Sequence, residues 1–184
     1  MSLPNYIWGL SYTDLIGTIQ ALAASISAIA IIVAIKQLRA ASIQARAPVT
    51  YEQLSQFRSP EFVSARDYIK TELKEELRQL GMPSDTPLDK LPQRTPLSPR
   101  YVSHFLDHLG ALVKNGYADE KVITGFIGGE IEKLWQHLAP HIHAQRIDPQ
   151  YGAWPYYQLN FEWLAKRCGA KGQNEYLKQL KSEI

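Results

Sequence analysis

A single uncharged, apolar run constrains this chain more than any other feature. Residues 15–35 read LIGTIQALAASISAIAIIVAI and contain no Asp, Glu, Lys, Arg, His or Pro. A helix of this length reaches about 31 Å, close to the roughly 30 Å of a bilayer's hydrocarbon core. Buried helices of soluble proteins are usually shorter and apolar on one face only. The run therefore predicts a transmembrane helix over residues 15–35.

A cleaved signal peptide is the main alternative for this run. Signal peptides begin with basic residues and carry an apolar core of roughly 7–15 residues. Residues 1–14 contain no Lys or Arg and one acid, Asp14, and the apolar run is longer than such a core. We therefore expect the run to be retained as an anchor.

The distribution of basic residues predicts the orientation of this anchor. All 20 Lys and Arg residues follow residue 35, and Lys36, Arg39 and Arg46 come directly behind the run. Basic residues next to a span stay on the cytoplasmic side. The N-terminal segment, residues 1–14, is therefore expected outside and the C-terminal domain in the cytoplasm.

Two further features fit this orientation. Tyr6, Trp8 and Tyr12 precede the run, where amphipathic rings form an interfacial belt. The single cysteine, Cys168, allows no disulfide within the chain, as is usual in a reducing compartment, and we expect it to be a core residue. Because the span is expected to lie in the bilayer, membrane lipid is an expected partner.

Good helix formers continue behind the span. They predict a helical extension over residues 36–47, ended at Ala47 by Pro48, with the domain occupying residues 48–184. A 4-3-4-3 spacing crosses from the span into this extension and indicates a helical partner. The residues with this spacing are Ile31, Ile35, Leu38, Ser42 and Ala45.

Helix-start and helix-stop signals predict an all-α domain. Ser59-Pro60 starts a helix that runs to about Leu80 before Gly81. Ser98-Pro99 starts a second, closed by Gly116, and Asp119 caps a third that reaches about Leu138 before Pro140. Trp154-Pro155 opens an aromatic helix ending near Arg167, and Gly169 and Gly172 precede a last short helix. No convincing strand is visible.

The buried faces of these helices follow from their spacing. The first is expected to bury Phe62, Ala65, Ile69, Leu73, Leu77 and Leu80, and the aromatic helix Trp154, Tyr157, Phe161 and Leu164. Between the first and the second predicted helix, residues 81–99 contain five prolines and no core-facing period, which predicts a Pro-rich surface loop.

The five histidines form two groups that invite a metal-site interpretation. His104 and His108 share a helix face with Asp107 between them, and His137, His141 and His143 follow later. The chain has no HExxH motif, and Pro140 interrupts the second group. We therefore predict no metal site and no cofactor, with a metal-dependent enzyme kept as an alternative.

The aromatic stretch around Trp154 and Tyr157 lies close in sequence to several basic residues. Aromatic rings among cations can stack on nucleotide bases, but they more often form a core with charged groups at its edge. Phosphate-loop, GxSxG and CxxC motifs are absent from the sequence. Nucleic acid is therefore not expected as a partner, and no catalytic residue is assigned.

Small residues within the predicted span indicate self-association. Helices in lipid attract one another through close packing, which small side chains allow. Gly17, Ala21 and Ser25 are spaced by four, and Ala28 continues the same broad face. These four residues are the predicted contact of a homo-oligomer.

The predicted span is followed by the segments ARDYI, FLDHLGALVKNGYAD and GGEIEKLWQHLAPHIHAQR and by a late FEWL. This order of segments resembles a bacterial domain-of-unknown-function family of small single-pass membrane proteins. The matching positions are Phe105, Leu109, Gly110, Val113, Gly116, Trp135, Pro140, Arg146, Phe161 and Glu162. The resemblance implies an inner-membrane protein without an established activity, in which Arg146 and Glu162 form a buried pair or a ligand site.

Three functions remain open from the sequence. The first is a membrane-anchored helical interaction or regulatory module with an unknown protein partner. The second is a membrane effector whose cytoplasmic domain senses a ligand or partner and whose spans oligomerise, and the third is the metal-dependent enzyme. Candidate binding residues are Arg146, Glu162, Trp154 and Tyr157.

Overall fold

The computed structural model describes residues 6–7, 10–92, 98–151 and 154–182. The predictions for Trp8 and for residues 93–97 of the Pro-rich loop lie outside these ranges. The chain divides into two compact units, residues 1–44 and residues 45–184.

The first unit consists of a short antiparallel pair and most of one long helix. Strands β1 (Tyr6–Ile7) and β2 (Leu10–Ser11) pair, with Tyr6 opposite Ser11. Helix α1 (Tyr12–Phe57) follows and contains a 23-residue segment, Ile16–Leu38, with a mean hydropathy of 2.2. None of this segment is buried, and it is long and apolar enough to cross a membrane.

Helix α1 does not end at Ala47, so that prediction is wrong. It continues through Pro48 to Phe57. Proline removes one backbone hydrogen bond and crowds the preceding turn. Burial offsets this cost, because Leu54 and Phe57 lie in the core of the second unit. Thr50 adds two hydrogen bonds, donating to the Arg46 carbonyl at 2.8 Å and accepting the Asp119 N–H at 2.9 Å.

Apart from the end of α1, five α-helices are described in the second unit, and the all-α class is confirmed. They are α2 (Pro60–Thr71), α3 (Leu73–Gln79), α4 (Pro99–Lys114), α5 (Glu120–Ile147) and α6 (Leu159–Ser182). The three predicted caps are confirmed, since Ser59, Ser98 and Asp119 each accept N–H groups of the following turn. Gly81 and Gly116, with φ of 65° and 75°, follow α3 and α4.

Two helices differ from the prediction. The helix expected from Pro60 to Leu80 is interrupted at Glu72, and Leu80 is 58% exposed rather than buried. Helix α5 continues through Pro140 to Ile147. Pro140 lies on the exposed side of α5, whereas Leu138 and Ile142 are fully buried and hold the helix on the core.

The aromatic helix also differs. Helix α6 begins at Leu159, and Trp154 lies before it with 59% of its surface exposed, so Trp154 does not belong to the buried seam. Tyr157, Phe161 and Leu164 are buried as predicted. The helix continues through Gly169 without the expected break, and its buried Cys168 confirms the prediction of a core residue.

The described part of the Pro-rich loop is not a plain surface connector. Leu88 and Leu91 are 0% and 2% exposed, and residues Leu88–Lys90 form a 3-10 turn that ends directly before Leu91. The two leucines join a core in which α6 packs against both α4 and α5. The prediction of a surface loop is therefore wrong for this part, because two spaced leucines give no periodic signal.

Candidate functional site

Arg146 and Glu162 are brought together by the end of α5 and the first turn of α6. Arg146 Nη1 donates to Glu162 Oε2 at 2.7 Å, and Arg146 Nε donates to the Tyr157 carbonyl at 2.8 Å. The two side chains are 13% and 17% exposed. The pair therefore fastens the connection between α5 and α6 as well as the start of α6.

The Glu162 carboxylate is held by a second cation. Lys166 donates to Oε1 at 2.6 Å, and this bond does most to lower the pKa of Glu162; burial opposes the shift and Arg146 adds to it. The carboxylate is thus ionised near neutral pH. Arg146 Nη2 is buried and has no hydrogen-bond partner among the described residues.

Tyr157 extends this cluster towards α4. Its hydroxyl lies 3.4 Å from His104 Nε2, and the two rings meet edge to face with centroids 5.9 Å apart. Burial raises the pKa of Tyr157 and lowers that of His104. The structure therefore brings Arg146, Glu162 and Tyr157 into one cluster. Trp154 contacts it from an exposed position, with its ring 5.8 Å from that of Tyr157.

Asp107 has a structural role that the sequence did not reveal. Its Oδ1 accepts the backbone N–H groups of Asn160 at 2.9 Å and Phe161 at 3.0 Å. A carboxylate at this position satisfies free N–H groups of the first turn and favours the positive end of α6. Asp107 was a candidate metal ligand, but its carboxylate is engaged as a cap supplied by another helix.

Gly110 lies one turn further along α4 and touches the same part of α6. A Cβ placed on Gly110 would lie 2.6 Å from the carbonyl carbon of Asn160 and closer still to its oxygen. Only glycine fits such an approach of a helix to backbone. Gln158, the residue before α6, has a φ of 56°, a conformation that costs free energy for a side-chain-bearing residue. The start of α6 is thus positioned closely by α4.

The histidines do not gather into a metal centre in the described part of the chain. No group of three or more His, Cys, Asp and Glu side chains with metal-binding geometry occurs there. His141 is 5% exposed, and its Nδ1 lies 2.8 Å from the Thr86 carbonyl.

Polar residues on the last turns of α5 and at its C-cap hold the Pro-rich loop, and sequence reasoning missed them. Gln145 Oε1 accepts the Asp89 N–H at 3.1 Å, and Asp148 accepts from Lys90 at 2.7 Å. His141, Gln145 and Asp148 are spaced by four and then three residues, which places them on one helix face. That spacing was a usable signal, although it does not identify the loop as the partner.

The four candidate contact residues of the first unit all lie on exposed positions of α1. Gly17 has no atom within 4 Å of an added Cβ, and the Ser25 hydroxyl donates to the Ala21 carbonyl at 2.8 Å. Ser25 is therefore engaged by its own helix. Self-association through Gly17, Ala21, Ser25 and Ala28 stays a prediction.

Family membership is decided by residues 24–168, which match the family described as Domain of unknown function (DUF4760). The chain belongs to this family. The resemblance inferred from the sequence is confirmed at that level, and the matched residues include Asp107, Gly110, Arg146 and Glu162. The family description states no activity. No curated protein and no solved structure shows significant similarity to the chain.

Proposed function

We propose that this DUF4760 chain is a membrane-anchored helical interaction module, fixed by α1 and binding a partner through residues 45–184. The observation that supports anchoring is the exposure of the whole apolar segment Ile16–Leu38. Leu22 and Ile26, for example, are 65% and 66% exposed. Burying one such side chain away from water contributes about 1.5–3 kcal/mol, so the segment favours lipid over water.

Features of the second unit support an interaction role. Several large side chains of that unit are exposed, among them Tyr51 at 70%, Phe126 at 68% and Tyr156 at 73%. Exposed aromatic groups of this kind are enriched where proteins bind partners. The polar groups of the candidate site support a non-catalytic role, because Arg146 and Asp107 are engaged in holding α6.

Anchoring and orientation can be tested together with a reporter that is active only in the cytoplasm, fused after Ile184. We expect reporter activity, because the basic residues follow the span and keep the C-terminal side in the cytoplasm. We also expect the protein to stay in the membrane fraction after an alkaline wash, because the span crosses the bilayer. Ile26→Lys with Ile29→Lys should release the protein, since each charge at a helix centre costs about 2.5–3.5 kcal/mol of insertion. Leu80→Lys, which places a lysine at an exposed apolar residue outside the segment, is the control and should leave the protein in the membrane fraction. Release of the unaltered protein by the wash would contradict anchoring, and activity only from a periplasmic reporter would reverse the orientation.

We further propose that copies associate through the small face of α1. Gly17→Ile with Ala21→Ile should weaken association in a membrane dimerisation assay, because bulky side chains separate the helices. Ala23→Ile with Ala30→Ile adds similar bulk on the opposite face, given about 100° per residue, and should have little effect. Equal loss with both pairs, or no loss with either, would exclude this face as the contact.

A further inference from the structure

A second feature of residues 45–184 lies apart from the Arg146 cluster. A cavity of about 660 Å³ opens between α3 and α5, and we call it the α3–α5 groove. Its apolar lining is formed by Ile69, Leu73, Leu77, Met82 and Pro140. Small-molecule sites usually occupy about 300–1,000 Å³ and combine an apolar lining with a few placed polar groups.

His141 supplies such a polar group. It lines the α3–α5 groove, and its Nδ1 lies 2.8 Å from the Thr86 carbonyl. A carbonyl oxygen only accepts, so Nδ1 carries the hydrogen, and in the neutral ring Nε2 keeps a lone pair. Burial lowers the pKa of His141, which favours that neutral ring. Nε2 has no hydrogen-bond partner among the described residues, so it is open to a donor such as a ligand hydroxyl.

The rim of the groove carries unbalanced positive charge. Arg78 and Glu75 satisfy each other, with Arg78 Nη2 donating to Glu75 Oε1 at 2.6 Å. Lys74 also lines the groove, is exposed and forms no ion pair with any described residue. Its ammonium group is available to an anion at the end of an apolar ligand.

We propose that the α3–α5 groove binds a single-chain anionic lipid that carries a free hydroxyl group. The chain covers the apolar lining, the hydroxyl donates to His141 Nε2, and the phosphate meets Lys74. An apolar chain, a free hydroxyl and a phosphate are the three parts of a lysophosphatidic acid. The choice of a lipid over another amphiphile of the same chemistry rests on the proposed membrane anchoring.

Native mass spectrometry of the full-length protein in detergent, titrated with oleoyl lysophosphatidic acid, tests this assignment. His141→Asn keeps an amide donor for the Thr86 carbonyl and removes the groove acceptor, and we expect about 3- to 10-fold weaker binding. Lys74→Gln should weaken binding about 2- to 5-fold. His108→Asn and Lys133→Gln are the controls, since both residues are exposed and neither lines the groove.

Two further lipids separate the contributions. Mono-oleoylglycerol has hydroxyls and no charge, so Lys74→Gln should no longer affect its binding. Oleic acid has the charge and no separate hydroxyl, so His141→Asn should leave its binding unchanged.

Lack of binding by the unaltered protein, or equal binding by all variants, would overturn the proposal. Lys74→Gln keeps the test decisive even if His141→Asn lowers stability, because Lys74 is exposed. Failure of anchoring is seen separately as release by the alkaline wash, which does not alter binding in detergent.

Discussion

Replacing Gly110 by alanine is expected to destabilise the second unit by about 3 kcal/mol. The new methyl group would overlap the backbone of Asn160, which cannot move without disturbing the start of α6. Asp107 caps that same turn, so the shift would also weaken its two hydrogen bonds. For a unit of this size the melting temperature should fall by roughly 6–12 °C.

Gly125→Ala is the matched control for this substitution. Gly125 also lies inside a helix, but an added Cβ meets nothing within 4 Å. Alanine should therefore stabilise α5 by up to about 1 kcal/mol through its higher helix propensity. Thermal unfolding of the full-length protein in detergent measures both changes. An unchanged melting temperature for Gly110→Ala would contradict the close contact between α4 and α6.

Arg146→Met is the second substitution with a large expected effect, about 3 kcal/mol of lost stability. It removes a mostly buried ion pair and leaves the Tyr157 carbonyl without its donor. Lys166→Met removes the other cation from the same carboxylate, but Lys166 is 70% exposed. Water and salt weaken that exposed contact, so its loss should cost about 0.5 kcal/mol.

Acid titration provides an independent readout of this pair. The pKa of Glu162 lies below its usual value of 4.5. The stability that its ionised carboxylate contributes is therefore fully present above pH 4.5. That stability is lost as the pH falls through the lowered pKa that Glu162 has in the folded protein. Lys166→Met and Arg146→Met should both reduce the loss of stability below pH 4.5, because Lys166 does most to lower this pKa and Arg146 adds to the shift. Equal stability of Arg146→Met and Lys166→Met would show that burial does not strengthen the Arg146 bond.

Local signals were sufficient for much of the fold. Ser59, Ser98 and Asp119 could be identified as caps because each acts on N–H groups only two or three residues away. The same reasoning placed helix ends wrongly at the prolines at 48 and 140, through which α1 and α5 continue. Their local cost is real, but the apolar neighbours that flank them gain more by burial than the helix loses.

The candidate site was less accessible to sequence reasoning. Arg146 and Glu162 were singled out as a pair through the family resemblance, and Tyr157 was a separate candidate. The contact of Arg146 with the Tyr157 carbonyl, and that of the Tyr157 hydroxyl with His104, appeared only in the structure. Asp107 and His141 form contacts more than fifty residues away along the chain. A helical period shows which face a side chain occupies and does not show which distant backbone will meet it.

The Asp107 cap also has a consequence for how α6 forms. Isolated helices pay a high nucleation cost, and two N–H groups in the first turn of α6 are satisfied by a side chain of α4. Nascent chain that has reached α6 therefore gains this cap only once α4 is already folded and docked. Formation of α6 therefore depends on α4, and a substitution that unfolds or displaces α4 should also impair the initiation of α6.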